Sequence, residues 1–211
     1  MSLARLLQLA SPTLPVGAYS YSQGLEAAAE AGLVHDAESA ERWIGDVLEL
    51  SVASLEAPLV HRMMTEPERL AELNELFLAT RETAELRAET LQMGHSLGTL
   101  LADLGGERPR VEPCSYPAAF STAARSWGLA AHEALVAYLW AWLENQVMAA
   151  VKVVPLGQTA GQAILVKLGG TLEGMAERAA SLREEQWSNL VPGLAMLSSR
   201  HETQYSRLFR S

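Results

Sequence analysis

The sequence predicts an all-α protein, a single-domain helical bundle. Three observations carry that expectation. Apolar residues recur three and four positions apart along nearly the whole chain. Glycine and proline punctuate those stretches where helices would stop and restart. No window of alternating apolar and polar residues is long enough to specify a strand.

Taken in order, Leu14 to Glu26 begins with two prolines and a glycine, which set an extended approach to a helix. Asp36 is a natural N-cap for the next helix, whose apolar faces are Trp43, Val47, Leu50 and Ile44, Leu48, Leu55. Thr65-Glu66-Pro67-Glu68 reads as a capping box with an early proline, followed by the face Leu70, Leu73, Phe77. Leu86, Met93, Leu97, Leu100 and Leu104 mark a further helix that Gly105-Gly106 stops, and a loop with Pro109, Pro113 and Pro117 follows. Helices resume near 118–125 and from about 129 to 154. The stretch Ala134 to Leu143 is apolar almost all round, as a central buried helix requires. Pro155 and Gly157 end it. Further helices are expected over 158–168, 172–183 and 185–190, and after Pro192. Gly94 and Gly98, four apart, would let a neighbouring element pack closely against their helix.

Composition bounds the function. Of 211 residues, 49% are hydrophobic and 19% charged, below the roughly 25% of an average soluble protein. Such a balance suits either a large core or an apolar surface covered by partners. A net charge of −9 removes the basic footprint of a nucleic-acid binder. Among 16 basic residues only Lys152 and Lys167 are lysines, leaving 14 arginines, whose donor forks suit protein interfaces. The longest apolar run falls well short of the roughly 18 residues of a membrane helix, and Leu6-Leu7-Gln8-Leu9-Ala10 is too short and interrupted for a signal peptide. A cytoplasmic protein is expected, with neither a membrane nor a nucleic acid among its partners.

Catalytic signatures are missing. There is no phosphate-binding glycine loop, no nucleophile elbow, and no pair of histidines at helical spacing. The five histidines, His35, His61, His95, His132 and His201, read as surface or capped residues. The lone Cys114 sits in a proline-bounded loop beside Glu112, which disfavours a reactive thiolate. No catalytic residue, metal ligand or bound cofactor is therefore expected.

Three stretches exceed what packing needs. The first is the block Leu14 to Glu26, with Tyr19 and Tyr21. In the second, Lys152-Val153-Val154-Pro155-Leu156-Gly157-Gln158 with Gly161-Gln162, a lysine closes an apolar helix, where the helix dipole favours a cation. The third is the tail His201 to Ser211, rich in the tyrosine and arginine of binding hot spots.

These blocks, with Arg81-Glu82, Glu89, Met93-Gly94 and Ser96-Leu97 between them, resemble the UreF family of urease accessory proteins. The resemblance spans essentially the whole chain. It implies an all-α homodimer that binds a UreD/UreH-type protein, recruits a UreG-type GTPase and docks on apo-urease. GTP hydrolysis there is coupled to nickel delivery, so nickel and GTP are handled by the assembly rather than by this chain. The N-terminal segment 1–19 and the tail 201–211 become the expected partner-binding parts. Tyr205, Arg207, Phe209 and Arg210 are expected to dock on the UreD/UreH-type partner. Glu26, Lys152 and Gln158 are expected to face the GTPase or a metal route, with Tyr19 and Gln162 in the same motif blocks. The alternative is a generic all-helical interaction module unrelated to nickel.

Overall fold

A computed structural model describes residues 3–211; Met1 and Ser2, at the head of the N-terminal segment, lie outside the described residues. Helix α1 (Leu3–Ala10) opens the chain, a helix the sequence reading did not anticipate. The proline-containing turn leads through a short 3-10 turn at Ala18–Ser20 into α2 (Leu25–Glu30). Asp36 caps α3 (Ala37–Val47) as expected, accepting from the Ser39 amide at 2.8 Å.

From α3 the backbone continues without a break through a π-helical stretch, Leu48–Glu56, into α4 (Ala57–Thr65). Pro58 accounts for part of this. It has no N–H to give the Ser54 carbonyl one turn back, and its ring crowds that carbonyl. The Ser54 oxygen instead accepts from the Ser188 amide, 3.1 Å away in a distant segment. The wider turn also swings Leu50, expected on an apolar face, out to solvent. Because the helix runs through Thr65, the expected capping box does not form. The Thr65 hydroxyl donates back to the His61 carbonyl, and Glu66 pairs with Arg62 and Arg69 instead.

A 3-10 turn (Pro67–Arg69) starts α5 (Leu70–Ala79). The long α6 (Ala84–Asp103) buries Leu86, Met93 and Leu97, while Leu104, just past its end, is exposed. Next come α7 (Tyr116–Ser126) and the central α8 (Ala131–Val153), which packs against α1, α2, α4, α9 (Gln158–Gly169) and α10 (Leu172–Ser181). The helix expected over 185–190 is only a single 3-10 turn, Glu184–Gln186. Beyond it the chain is held by tertiary hydrogen bonds: Ser188 to Ser54, and Asn189 to the Thr80 carbonyl and Glu82. Helix α11 (Pro192–His201) lies on α2. No strand occurs among the described residues.

Gly94 explains how α6 and α7 approach. A Cβ there would lie 2.2 Å from the Cys114 carbonyl oxygen, so only glycine admits the Cys114–Ser115 backbone. This is the close packing that the Gly94/Gly98 spacing suggested. Cys114 is half-buried, and burial with the nearby Glu112 pushes its thiol up to about 12.

Candidate functional site

The two ends of the chain meet. Gln23 and Gly24 adopt left-handed backbone conformations, with φ of 52° and 80°, and turn the N-terminal block under α11. A Cβ on Gly24 would stand 3.2 Å from Leu194 of α11, so this junction too favours glycine. After α11 the tail folds back across α2 and α6 instead of extending into solvent.

Glu26 and Glu85 hold the tail. The buried Glu26 carboxylate accepts from the Leu208 amide (2.7 Å) and the Phe209 amide (2.9 Å), and it pairs with His201 Nε2 at 3.2 Å. Glu85 accepts from Arg207 Nη1 (2.6 Å), and His201 Nδ1 lies 2.7 Å from its other oxygen. His201 is thus fully buried between two carboxylates, which corrects the expectation of a surface or capped histidine. Glu202, next in sequence, accepts from the Ala84 and Glu85 amides and so caps the start of α6.

Further along, the Arg210 amide donates to the Ser20 carbonyl, and the Ser211 carbonyl accepts from both the Ser22 amide and the Ser22 hydroxyl. The Ser211 hydroxyl donates to Glu89 (2.8 Å). Glu89 also accepts from Gln23 Nε2 (2.6 Å), and Gln23 in turn accepts from the Trp142 indole (2.8 Å). The first block, the middle helix, α8 and the tail are therefore one hydrogen-bonded unit.

The structure divides the expected site residues. Phe209 is buried in the protein's own core, and Glu26 is occupied by the tail. Lys152, at the C-terminal end of α8, sets its ammonium 5.3 Å from the Phe209 ring centroid. Two residues assigned to different partners thus share one face. Tyr205 is wholly exposed, Leu208 largely so and Arg207 partly. Tyr19 is exposed and lines a cleft of about 450 Å³ with Arg210. A second cleft, about 420 Å³, runs between Gln204, Ser206 and Leu208 of the tail and Val153 to Pro155 at the end of α8. Gln158 and Gln162 are exposed on the first turns of α9, and no hydrogen bond ties either to the tail.

Sequence reasoning missed Glu85 and Trp142 as members of this junction. Ser22, Gln23, Glu89 and His201 entered only as parts of motif blocks. Glu85 and Glu89 are one turn apart on α6, so they share a face, which was a readable signal. That His201 would reach Glu26, 175 positions away, was not readable.

Beneath the junction lies a small chamber of about 60 Å³, lined by Gln23, Glu56, Arg81, Glu89, Tyr116 and Tyr138 and by the apolar Phe77, Leu86 and Met93. Arg81 Nη1 donates to Glu56 (3.0 Å), and the Tyr138 hydroxyl donates to the other Glu56 oxygen (2.6 Å). Arg81 Nε is buried without a partner. Among the described residues no three metal-ligating side chains converge to hold an ion, and no helix is long and apolar enough to cross a membrane.

Comparison with known proteins agrees with the motif reading. The UreF family model matches residues 34–169. The chain is 57% identical to the urease accessory protein UreF of Azoarcus sp. (strain BH72), over all of this chain and 96% of that one. It is 50% identical to its namesake in Dechloromonas aromatica (strain RCB), over 100% and 98% of the two chains. Against the one from Methylobacillus flagellatus the identity is 48%, with the same coverage. The generic interaction module gives way to a specific assignment: this chain belongs to the UreF family of urease accessory proteins.

Proposed function

We propose that this protein is a non-catalytic adaptor in assembly of the urease nickel centre. It acts in the cytoplasm as a single-domain homodimer. It bridges a UreD/UreH-type protein and a UreG-type GTPase, and it gates GTP-dependent nickel delivery to apo-urease. Nickel and GTP are cargo and fuel of the assembly; neither is a resident cofactor of this chain.

The observation that carries this reading is the seated tail. Its buried side, Phe209 with the Glu26 and Glu85 clasp, fixes its path, while Tyr205 and Leu208 face solvent beside two clefts. Large apolar side chains held outward on an ordered backbone lose little entropy on binding, which is how preorganised interface anchors act. The UreD/UreH-type partner docks on Tyr205, Arg207, Leu208 and Arg210, with Tyr19 at the rim. The GTPase meets the neighbouring face carrying Lys152, Gln158 and Gln162.

Paired exposed substitutions test the docking surface. Tyr205→Ala with Leu208→Asp leaves helical circular dichroism unchanged and abolishes co-purification with the UreD/UreH-type protein. Normal co-purification by this variant would remove the tail from the interface. Lys152→Ala leaves that binding intact and alters GTP hydrolysis or urease activation in the assembled complex; unchanged values for both would take Lys152 off the GTPase face.

A further inference from the structure

The chain is acidic overall, with a net charge of −9, and most of its arginines pair with its own carboxylates, as Arg62, Arg69, Arg81 and Arg207 do. One surface departs from that pattern. Arg108, Arg110 and Arg125 line a single cleft of about 480 Å³, between the loop after α6, the second half of α7 and the start of α5. All three are exposed. Among the described residues, Arg108 and Arg125 form neither an ion pair nor a side-chain hydrogen bond. Arg110 meets only Glu107, at 3.5 Å and largely in water, a pair worth little. Glu68 is the other carboxylate of the cleft, so three cations stand there against two anions. Arg125 also complements the C-terminal dipole of α7, but that asks nothing of Arg108 or Arg110.

The loop that presents Arg108 and Arg110 is anchored at both ends. The Gly106 amide donates to the Leu101 carbonyl (2.8 Å). The Pro109 ring rests on α6 at Gly98, where a Cβ would stand 3.4 Å from its Cδ. At the far end the buried Asn74 side chain donates to the Pro113 carbonyl and accepts from the Ser115 amide, both at 2.9 Å. Arginines carried on a fixed backbone lose less freedom on pairing than those of a mobile loop.

We propose that this cleft is a docking site for an acidic segment of a partner protein. Guanidinium forks pair bidentately with carboxylates, and arginine clusters are a recurrent reader of acidic motifs. Leu70 and Val111 add apolar contact beside the charges. A nucleic acid fits less well. Its unbroken row of phosphates would meet Glu68 and Glu107, and a chain of charge −9 lacks the basic footprint that attracts it. A peptide can space its carboxylates with uncharged residues and so avoid the two glutamates. The cleft shares no lining residue with the two clefts beside the tail, so this contact is separate from the one proposed for Tyr205 and Leu208 and stands or falls without it.

Fluorescence anisotropy on the full chain tests this, with a fluorescein-labelled peptide of alternating glutamate and alanine as the probe, at about 50 mM salt to limit screening. The wild type binds the peptide saturably. Arg108→Ser with Arg125→Ser weakens binding about tenfold, the worth of two charge-assisted contacts at an exposed site. Arg42→Ser with Arg183→Ser removes the same charge from exposed arginines elsewhere and leaves the affinity within about twofold of wild type. Three results overturn the proposal. One is no saturable binding by the wild type. Another is an equal loss in the Arg42/Arg183 control, which would assign binding to overall charge. The third is tighter binding of a labelled single-stranded oligonucleotide of equal charge through Arg108 and Arg125, which would make the cleft a nucleic-acid contact. If the Arg108/Arg125 variant fails to fold, the arginine Nε–H resonances of the wild type decide. Peptide-induced shifts confined to Arg108, Arg110 and Arg125 support the cleft, and shifts spread over the other exposed arginines overturn it.

Discussion

Glu26→Ala is the sharpest test of how the tail is held. The substitution removes an acceptor used by two backbone N–H groups and by one imidazole nitrogen, all within 3.2 Å. Each buried donor left without a partner costs about 1–3 kcal/mol. The full sum is not realised, because the tail lifts and its amides find water. The loss is capped at the free energy that seats residues 202–211. A net weakening of about 3 kcal/mol corresponds to roughly a hundredfold rise in tail opening. Hydrogen exchange at Leu208 and Phe209 reads it directly, and trypsin cleavage after Arg207 reports it independently. Helical circular dichroism stays near wild type, since the substituted site lies on α2, itself an adequate place for alanine. Exchange at both amides within about threefold of wild type would refute the clasp.

Four other outcomes follow from the same geometry. Gly94→Ala drives a methyl into the Cys114 carbonyl and costs about 1–3 kcal/mol by overpacking, read as a fall in Tm; an unchanged Tm would mean α6 and α7 separate freely. Arg81→Leu alone strands the buried Glu56 carboxylate and costs about 3–5 kcal/mol, whereas Arg81→Leu with Glu56→Leu recovers most of it in denaturant unfolding. Because the Glu89 carboxyl is raised to about 7 in the folded protein, its contribution to stability is fully present below about pH 4.5 and is lost as pH rises through 7. The Tm difference between wild type and Glu89→Gln shifts in the variant's favour from pH 5 to pH 8. Lys152→Ala lowers tail protection by only about 0.5–1 kcal/mol, the worth of an exposed cation over an aromatic ring.

Much of the fold was legible because helix punctuation is local. Asp36, the Gly105-Gly106 stop, the all-round apolar stretch of α8 and Pro192 each act within a turn of their own position, and each falls where the sequence places it. The misses come from tertiary competition. Thr65 lost its cap because a continuous helix runs through it, and residues 187–190 lost their expected helix because Ser188 and Asn189 bond to distant backbone. Deleting the last ten residues removes not only a docking element but also two donors to Glu26, one to Glu85 and one to Glu89. The motif residues were visible one block at a time. What could not be read was that the first block, the middle helix and the tail close on one another, since Glu26 to Phe209 and Ser22 to Ser211 are pairings across nearly the whole chain. The aromatic and arginine content of the tail led to the expectation of a docking surface. The structure divides it between an inward side, Phe209, and an outward side, Tyr205 and Leu208.

The central claim is a role in building the urease metal centre. It is tested most directly by expressing a urease operon with and without this gene, and assaying urease activity and urease-bound nickel. Without the gene, both are lost while apo-urease remains at its normal level, and the wild-type gene restores both. Full activity and full nickel content in its absence would contradict the account.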